Sequence, residues 1–145
     1  MITDEIFLRC KTCGAVNKVL KEKMDSGPKC GSCQSLLEIT KAPVSVNSAN
    51  FQQEVIEHPG LVLVDFWSPS CFYCAQMNPL IDQLALEQSG TLKVVKMNVA
   101  EDQRLAFQFG VKGVPHFILF NKGSVVKQIS GSMSKQDLEN WIFSL

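Results

Sequence analysis

Six cysteines, all in Cys-x-x-Cys pairs, are the residues of this chain best equipped to do chemistry. Cys71 and Cys74 follow an apolar run, Leu61-Val62-Leu63-Val64, which passes through Asp65-Phe66-Trp67 and a short Ser68-Pro69-Ser70 turn; a helical pattern comes after them. A buried strand that hands over to a helix with two cysteines in its first turn is the layout of a redox dithiol. At that spacing the two residues share a helix face about 5–6 Å apart, within the reach of a disulfide. The first faces unsatisfied amides and the positive end of the helix dipole, which favour a thiolate, and the second lies deeper and suits a resolving role. The expected reaction is exchange: Cys71 attacks a disulfide to form a mixed disulfide, and Cys74 then attacks Cys71 and releases the reduced substrate.

The other two pairs, Cys10-Lys11-Thr12-Cys13 and Cys30-Gly31-Ser32-Cys33, are separated by sixteen residues. Two such knuckles fit a tetrahedral zinc site with Cys10, Cys13, Cys30 and Cys33 as thiolate ligands, although tetrahedral sulfur also suits iron. Neither pair opens a helical pattern, so two further redox dithiols are the weaker reading. A segment of about forty residues buries too little apolar surface to fold unaided, and one bound metal supplies what its core lacks. Gly14 and Gly31 are expected to relieve tight backbone at the knuckles, with short strands at Ala15 to Leu20 and Ser35 to Ile39.

Hydrophobic content of 46% supports a packed core. Fourteen basic and fourteen acidic residues cancel, so no net field advertises nucleic-acid or membrane binding. No apolar run is long enough to span a membrane, and Met1 to Arg9 does not read as a signal peptide. Cysteines paired in this way without an export signal point to a reducing, cytoplasmic setting. Neither a dinucleotide loop nor a P-loop is present, so no organic cofactor is expected and electrons must come from another protein.

The elements that would hold the dithiol can be read in order. Lys41 to Ser45 reads as a linker between a segment 1–41 and a domain 42–145. Val44 to Val46 suits a first strand, and Ser48 is placed to cap a helix with Phe51, Val55 and Ile56 inward, ended by His58-Pro59-Gly60. His58 reads as a solvated loop residue without a role. Leu61 to Trp67 is apolar on both faces, as a central strand should be. Asp65 in that run is then buried, with its carboxyl pushed up, and could take the proton of Cys74. After the dithiol, Met77, Leu80, Ile81 and Leu84 form a core stripe on a helix that Pro79 should kink. Leu92 to Val99 is the next strand, and Asp102 caps a short helix with Leu105, Ala106 and Phe109 inward. His116 to Phe120 and Val125 to Ile129 form a hairpin about Asn121-Lys122-Gly123. Ser134 opens a last helix with Leu138, Trp141, Ile142 and Leu145 inward.

From about Val44 to Leu145 the chain resembles the thioredoxin family. Asp65-Phe66-Trp67, Cys71-x-x-Cys74 and Pro79 match its buried acid, tryptophan, dithiol and helix proline, and Val114-Pro115 lies at the spacing of its cis-proline loop. A zinc ribbon ahead of such a domain resembles bacterial zinc-ribbon thioredoxins. The resemblance implies an α/β thioredoxin fold, a mixed sheet flanked by helices, behind the ribbon. It implies protein-disulfide reduction with Trp67, Val114 and Pro115 at the substrate surface, Lys96 approaching Asp65, and a flavin-dependent thioredoxin reductase as donor to a monomeric protein. Where the family's usual motif is Trp-Cys-Gly-Pro-Cys, this chain has Ser70-Cys71-Phe72-Tyr73-Cys74. Tyr73 restores an amide that proline would lack, which is expected to stabilise the Cys71 thiolate and make the dithiol more oxidising. His116 stands where threonine is usual, either near the sulfurs or merely packed. An oxidase or isomerase of the same fold, or an interaction module with little redox activity, are the alternative readings.

Overall fold

The computed structural model describes residues 5–37 and 41–144. Seven-residue β4 (Leu61–Trp67) is the centre of a five-stranded sheet. Its neighbours are β5 (Leu92–Asn98), parallel, and β6 (His116–Asn121), antiparallel; β3 (Val44–Val46) and β7 (Ser124–Ser130) form the edges, giving the order β3-β5-β4-β6-β7. The unbroken apolar run of β4 is explained by cover on both faces. Val62, Val64 and Phe66 point to one side with Phe51, Val55 and two residues of α2 (Gln103–Gln108), Leu105 and Ala106. Leu63 points to the other with Met77, Ile81 and Leu84 of α1 (Phe72–Glu87) and Leu138 and Ile142 of α3 (Lys135–Phe143). Side chains alternate along a strand, so Asp65 shares the face of Leu63 and lies under α1.

Helix caps follow the sequence in two of three places. Asp102 accepts the Leu105 amide at 3.1 Å and Ser134 accepts the Asp137 amide at 3.1 Å. Ser48 does not cap. Asn47 takes that role, its Oδ1 accepting the Ala49 amide at 2.8 Å in an Asx turn, while the Ser48 amide donates to Asp102 Oδ2 at 2.9 Å. The turn that follows is π-helical over Gln52–Ile56, and it still buries Phe51 and Val55. Pro79 lies inside α1 on its exposed side. Lys122 and Gly123 both take positive φ, 53° and 82°, as a tight hairpin turn requires.

The N-terminal segment is a small antiparallel ribbon of β1 (Glu5–Arg9) and β2 (Val16–Leu20). No sequence pattern announces β1, although Ile6 and Leu8 alternate inward to join Cys10, Cys30 and Leu37 in a separate small core. The strand expected at Ser35 to Ile39 is a single bridge, Lys29 to Leu36, and Ile39, like Leu145 of the last stripe, lies outside the described residues. The ribbon rests on the loops that precede β4 and β5. A Cβ at Gly90 would meet Ile6 and Met24 at 3.0–3.1 Å, and Arg9 donates to Gly14 O at 2.8 Å and Glu57 O at 3.4 Å. His58 is not a solvated loop residue: it is half-buried in a cavity of about 530 Å³ between ribbon and sheet. Burial and the nearby Lys93 and Arg9 charges push its imidazole down to about 4. All of this lies at the opposite end of β4 from the dithiol, roughly 20 Å away by strand rise.

Candidate active site

The dithiol is held by the junction of β4 and α1. Cys71 is the N-cap of α1 in extended conformation, so the helix begins one residue later than the motif suggests. Its Sγ accepts the Cys74 amide at 3.1 Å, the bond an N-cap oxygen usually makes to the third helical residue. The same thiol donates to Val114 O at 3.7 Å, and Val114-Pro115 is a cis peptide. Cys71 is partly exposed and Cys74 is buried, and both are free thiols. One sulfur is therefore presented to solvent and to a backbone carbonyl, and the other is withheld beneath the helix.

Below the buried sulfur lies the carboxyl of Asp65, only 2% exposed. Burial pushes it up to about 7, against the opposing pull of Lys96. The Cys74 thiol is pushed up to about 12 by burial, by its hydrogen bond with Cys71 and by the charge of Asp65. A thiol that reluctant to ionise needs a base beside it, and a carboxylate titrating near neutrality is of the right strength. Lys96 stands beside Asp65 in register across β4 and β5. Its ammonium donates to Asn78 Oδ1 at 2.5 Å and lies 5.1 Å from the centre of the Trp67 ring.

The altered motif meets the dithiol through one backbone donor. The donor to Cys71 Sγ is the Cys74 amide, and no bond from the Tyr73 amide to that sulfur is present among the described residues. An N-cap acceptor takes the second or the third helical amide; here the third, Cys74, is engaged, and the second, Tyr73, is not. Phe72 and Tyr73 are 69% and 57% exposed, their rings edge-to-face at 5.6 Å, and form an exposed aromatic ridge. His116 lies on the Phe66 face of the sheet, opposite Asp65, with Nδ1 2.6 Å from Ser130 Oγ and Nε2 2.8 Å from Gln128 Oε1. Both ring nitrogens are satisfied there, and neither contacts a cysteine.

A groove of about 400 Å³ opens beside the dithiol, lined by Ser68, Val99, Phe107, Val111 and Val114. Phe107 is 83% exposed, and the core stripe of Leu105, Ala106 and Phe109 leaves it without a signal in the sequence. Asn78 is passed over in the same way; its one signal is its place four residues after Cys74, on the same helix face.

In the ribbon the ligand atoms of Cys10, Cys13, Cys30 and Cys33 all lie within 4.8 Å of one another. Cys10–Cys33 and Cys13–Cys30 sulfurs are both 3.6 Å apart. Tetrahedral zinc with bonds of about 2.3 Å places its sulfurs about 3.8 Å apart, so this donor set fits the ion. Cys30 Sγ also receives the Asn17 side-chain amide at 3.5 Å and the Ser32 amide at 3.4 Å, the kind of outer-shell support that ligating thiolates take. The left-handed positions at the knuckles are Gly14 and Gln34, with φ of 79° and 68°, and not Gly31.

A family model described as Thioredoxin matches residues 42–144, and one described as Thioredoxin 2, N-terminal, matches residues 9–35. Thioredoxin C-3 of Corynebacterium nephridii is 34% identical over 138 residues, covering 94% of this chain and 93% of that protein. A thioredoxin of Haemophilus influenzae is 39% identical over 97 residues, 67% of this chain and 91% of its own length. Among solved structures, a single-substitution mutant of a thioredoxin from Halobacterium salinarum superposes with a TM-score of 0.67 at 30% identity, covering 74% of this chain and 93% of its own. With the dithiol, the buried acid and the cis proline in place, the chain belongs to the thioredoxin family and is a thiol–disulfide oxidoreductase of the protein-disulfide reductase kind, built on a thioredoxin fold behind a zinc-ribbon segment.

Proposed function

We propose that Cys71 is the attacking thiol and Cys74 the resolving thiol of this reductase, with Asp65 as the base for the second step. The observation that carries the assignment is the asymmetry of the pair: Cys71 is partly exposed at the helix cap, and Cys74 is buried over Asp65. The Cys71 thiolate attacks one sulfur of a substrate disulfide, and the other leaves as a thiolate. Asp65 takes the Cys74 proton, Cys74 attacks Cys71, and the second substrate sulfur leaves reduced as the Cys71–Cys74 disulfide forms. Two electrons have then moved from protein to substrate, and a thioredoxin reductase returns them. Trp67, Val114 and Pro115 form the substrate surface, where Val114 O already accepts a bond from Cys71 and the adjoining groove suits an extended apolar segment. Phe72 and Tyr73 act at its rim, and Lys96 tunes Asp65. His116 is assigned a packing role.

Cys10, Cys13, Cys30 and Cys33 hold one zinc ion per chain, and that ion supplies structural cross-linking to a ribbon (1–41) whose own core is small, separate from the redox domain (42–145). The protein works as a monomer in the reducing cytoplasm on disulfide-containing proteins, without nucleic acid or membrane. No helix among the described residues is long and apolar enough to cross a membrane. Insulin reduction run beside refolding of a scrambled substrate tests this reading. Dithiothreitol-driven insulin reduction supports it; rescue of the scrambled substrate without reduction, or neither activity, contradicts it.

A further inference from the structure

The Lys96 ammonium has two partners, and neither is the carboxyl it stands beside. Asp65 and Lys96 pair in register on adjacent parallel strands and share a sheet face, yet among the described residues no ion pair joins them. The ammonium instead reaches up to Asn78 on α1, 2.5 Å from Oδ1, and lies 5.1 Å from the Trp67 ring centre. Asn78 sits one helical turn beyond Cys74, half-buried, on the face that covers Asp65. We propose that Asn78 is a positioning residue for the buried acid: by holding the Lys96 ammonium against α1 and Trp67, it keeps that cation near Asp65 but out of contact with it.

The chemistry of the second step gives this placement a purpose. A contact ion pair would favour the ionised carboxyl and make it a weaker base. A cation at the distance set by Asn78 tempers the cost of burial without that loss. Among the described residues, the remaining titratable group beside Asp65 is Cys74 on α1; β6 sets Phe117 opposite, and the α3 residues on this face, Leu138 and Ile142, are apolar. Lys96 is thus the charge whose position can be adjusted. The inference deepens the assignment of Asp65 as base and rests on it for its functional meaning.

The test is the titration of the Asp65 carboxyl by carbon NMR in the reduced full-length protein, in wild type, Asn78→Leu, Lys96→Met and the double variant. Asn78→Leu is expected to lower the Asp65 midpoint by about one to three pH units, the shift that an opposite charge brought into contact gives a carboxylate. Lys96→Met should raise it, and in that background Asn78→Leu should move nothing further. An unmoved or raised midpoint in Asn78→Leu, or an equal shift without Lys96, overturns the proposal. Asn78→Ala serves the same reading if the leucine variant does not fold. The pH profile of mixed-disulfide resolution separates the two levels. A profile insensitive to Asp65→Asn removes Asp65 as base while leaving the NMR-measured role of Asn78 standing.

Discussion

Three Cys-x-x-Cys motifs in this chain begin with the same turn and end in two geometries. In each, the amide four residues on donates back to the first cysteine's carbonyl: Gly14 to Cys10 at 2.8 Å, Gln34 to Cys30 at 2.9 Å, Ala75 to Cys71 at 3.2 Å. The next step differs. Gly14 and Gln34 are left-handed, so the chain reverses, and the Cys10 and Cys30 amides donate to the Ala15 and Ser35 carbonyls at 2.8 Å each. Ala75 stays helical and the turn runs on through α1. Reversal leaves two short knuckles whose four sulfurs converge, which is what a metal needs. Continuation buries the second sulfur under a helix and leaves the first at the cap beside Val114 O, which is what exchange needs. The motif fixes neither chemistry; the handedness of the residue after it does.

Exchanging single sulfurs should break the comparison most visibly. Cys71→Ser is expected to reduce insulin-reduction turnover on the order of 10⁴-fold or more while zinc content stays at one per chain. Cys30→Ser should do the reverse, losing zinc and keeping most turnover. Chelation should likewise open residues 5–37 to protease and leave the sheet of residues 44–130 protected in hydrogen exchange. A chelator that unfolds both would mean that the ribbon contacts at Gly90 and Glu57 bind the two parts into one cooperative unit.

The next effect belongs to the redox half alone. Asp65 is raised from 3.8 to about 7, so the folded state binds its proton more tightly than the unfolded chain does. Stability from this group is therefore fully present below about pH 4 and is lost as pH rises through 7. Asp65→Asn should stabilise the protein at pH 8 by up to about 4 kcal/mol, with the gain vanishing near pH 4, in denaturant titrations at the two pH values. The same variant should slow mixed-disulfide resolution near neutrality.

Two smaller changes sharpen the distinction. Gln34 carries a side chain where its counterpart Gly14 has none, at φ of 68°. Gln34→Gly should strengthen the second knuckle by about 1 kcal/mol, read as slower zinc loss to a chelator. Tyr73→Pro should move the reduction potential by less than about 30 mV against glutathione buffers, because the amide it deletes makes no bond to Cys71. A larger shift would show that this amide engages the thiolate in solution.

Legibility followed the range of the determining contacts. The β4 strand, the dithiol at the helix start, the α1 stripe and the four ribbon cysteines are readable because each rests on spacing within one segment. The left-handed Gln34 is not readable, since glutamine carries no mark of positive φ and only the symmetry with Gly14 reveals it. β1 escapes notice because its alternation covers just Ile6 and Leu8, whose partners include residues far along the chain, Met24 and the backbone at Gly90. The half-buried state of His58 depends on the ribbon packing over it, and the pairing of Lys96 with Asn78 joins a strand to a helix eighteen residues away. His116 stands out in the sequence as an unusual residue but without a direction, because its Ser130 and Gln128 partners lie on β7.

The division of labour among the cysteines is tested most directly by trapping. Cys71→Ser and Cys74→Ser variants, zinc-loaded, would each be mixed with a disulfide-bonded peptide and analysed by intact mass and peptide mapping. The expected result is an adduct on Cys71 in Cys74→Ser, none in Cys71→Ser, and none on Cys10, Cys13, Cys30 or Cys33 in either. Equal trapping by both variants, or adducts on the ribbon cysteines with zinc still bound, would contradict the account.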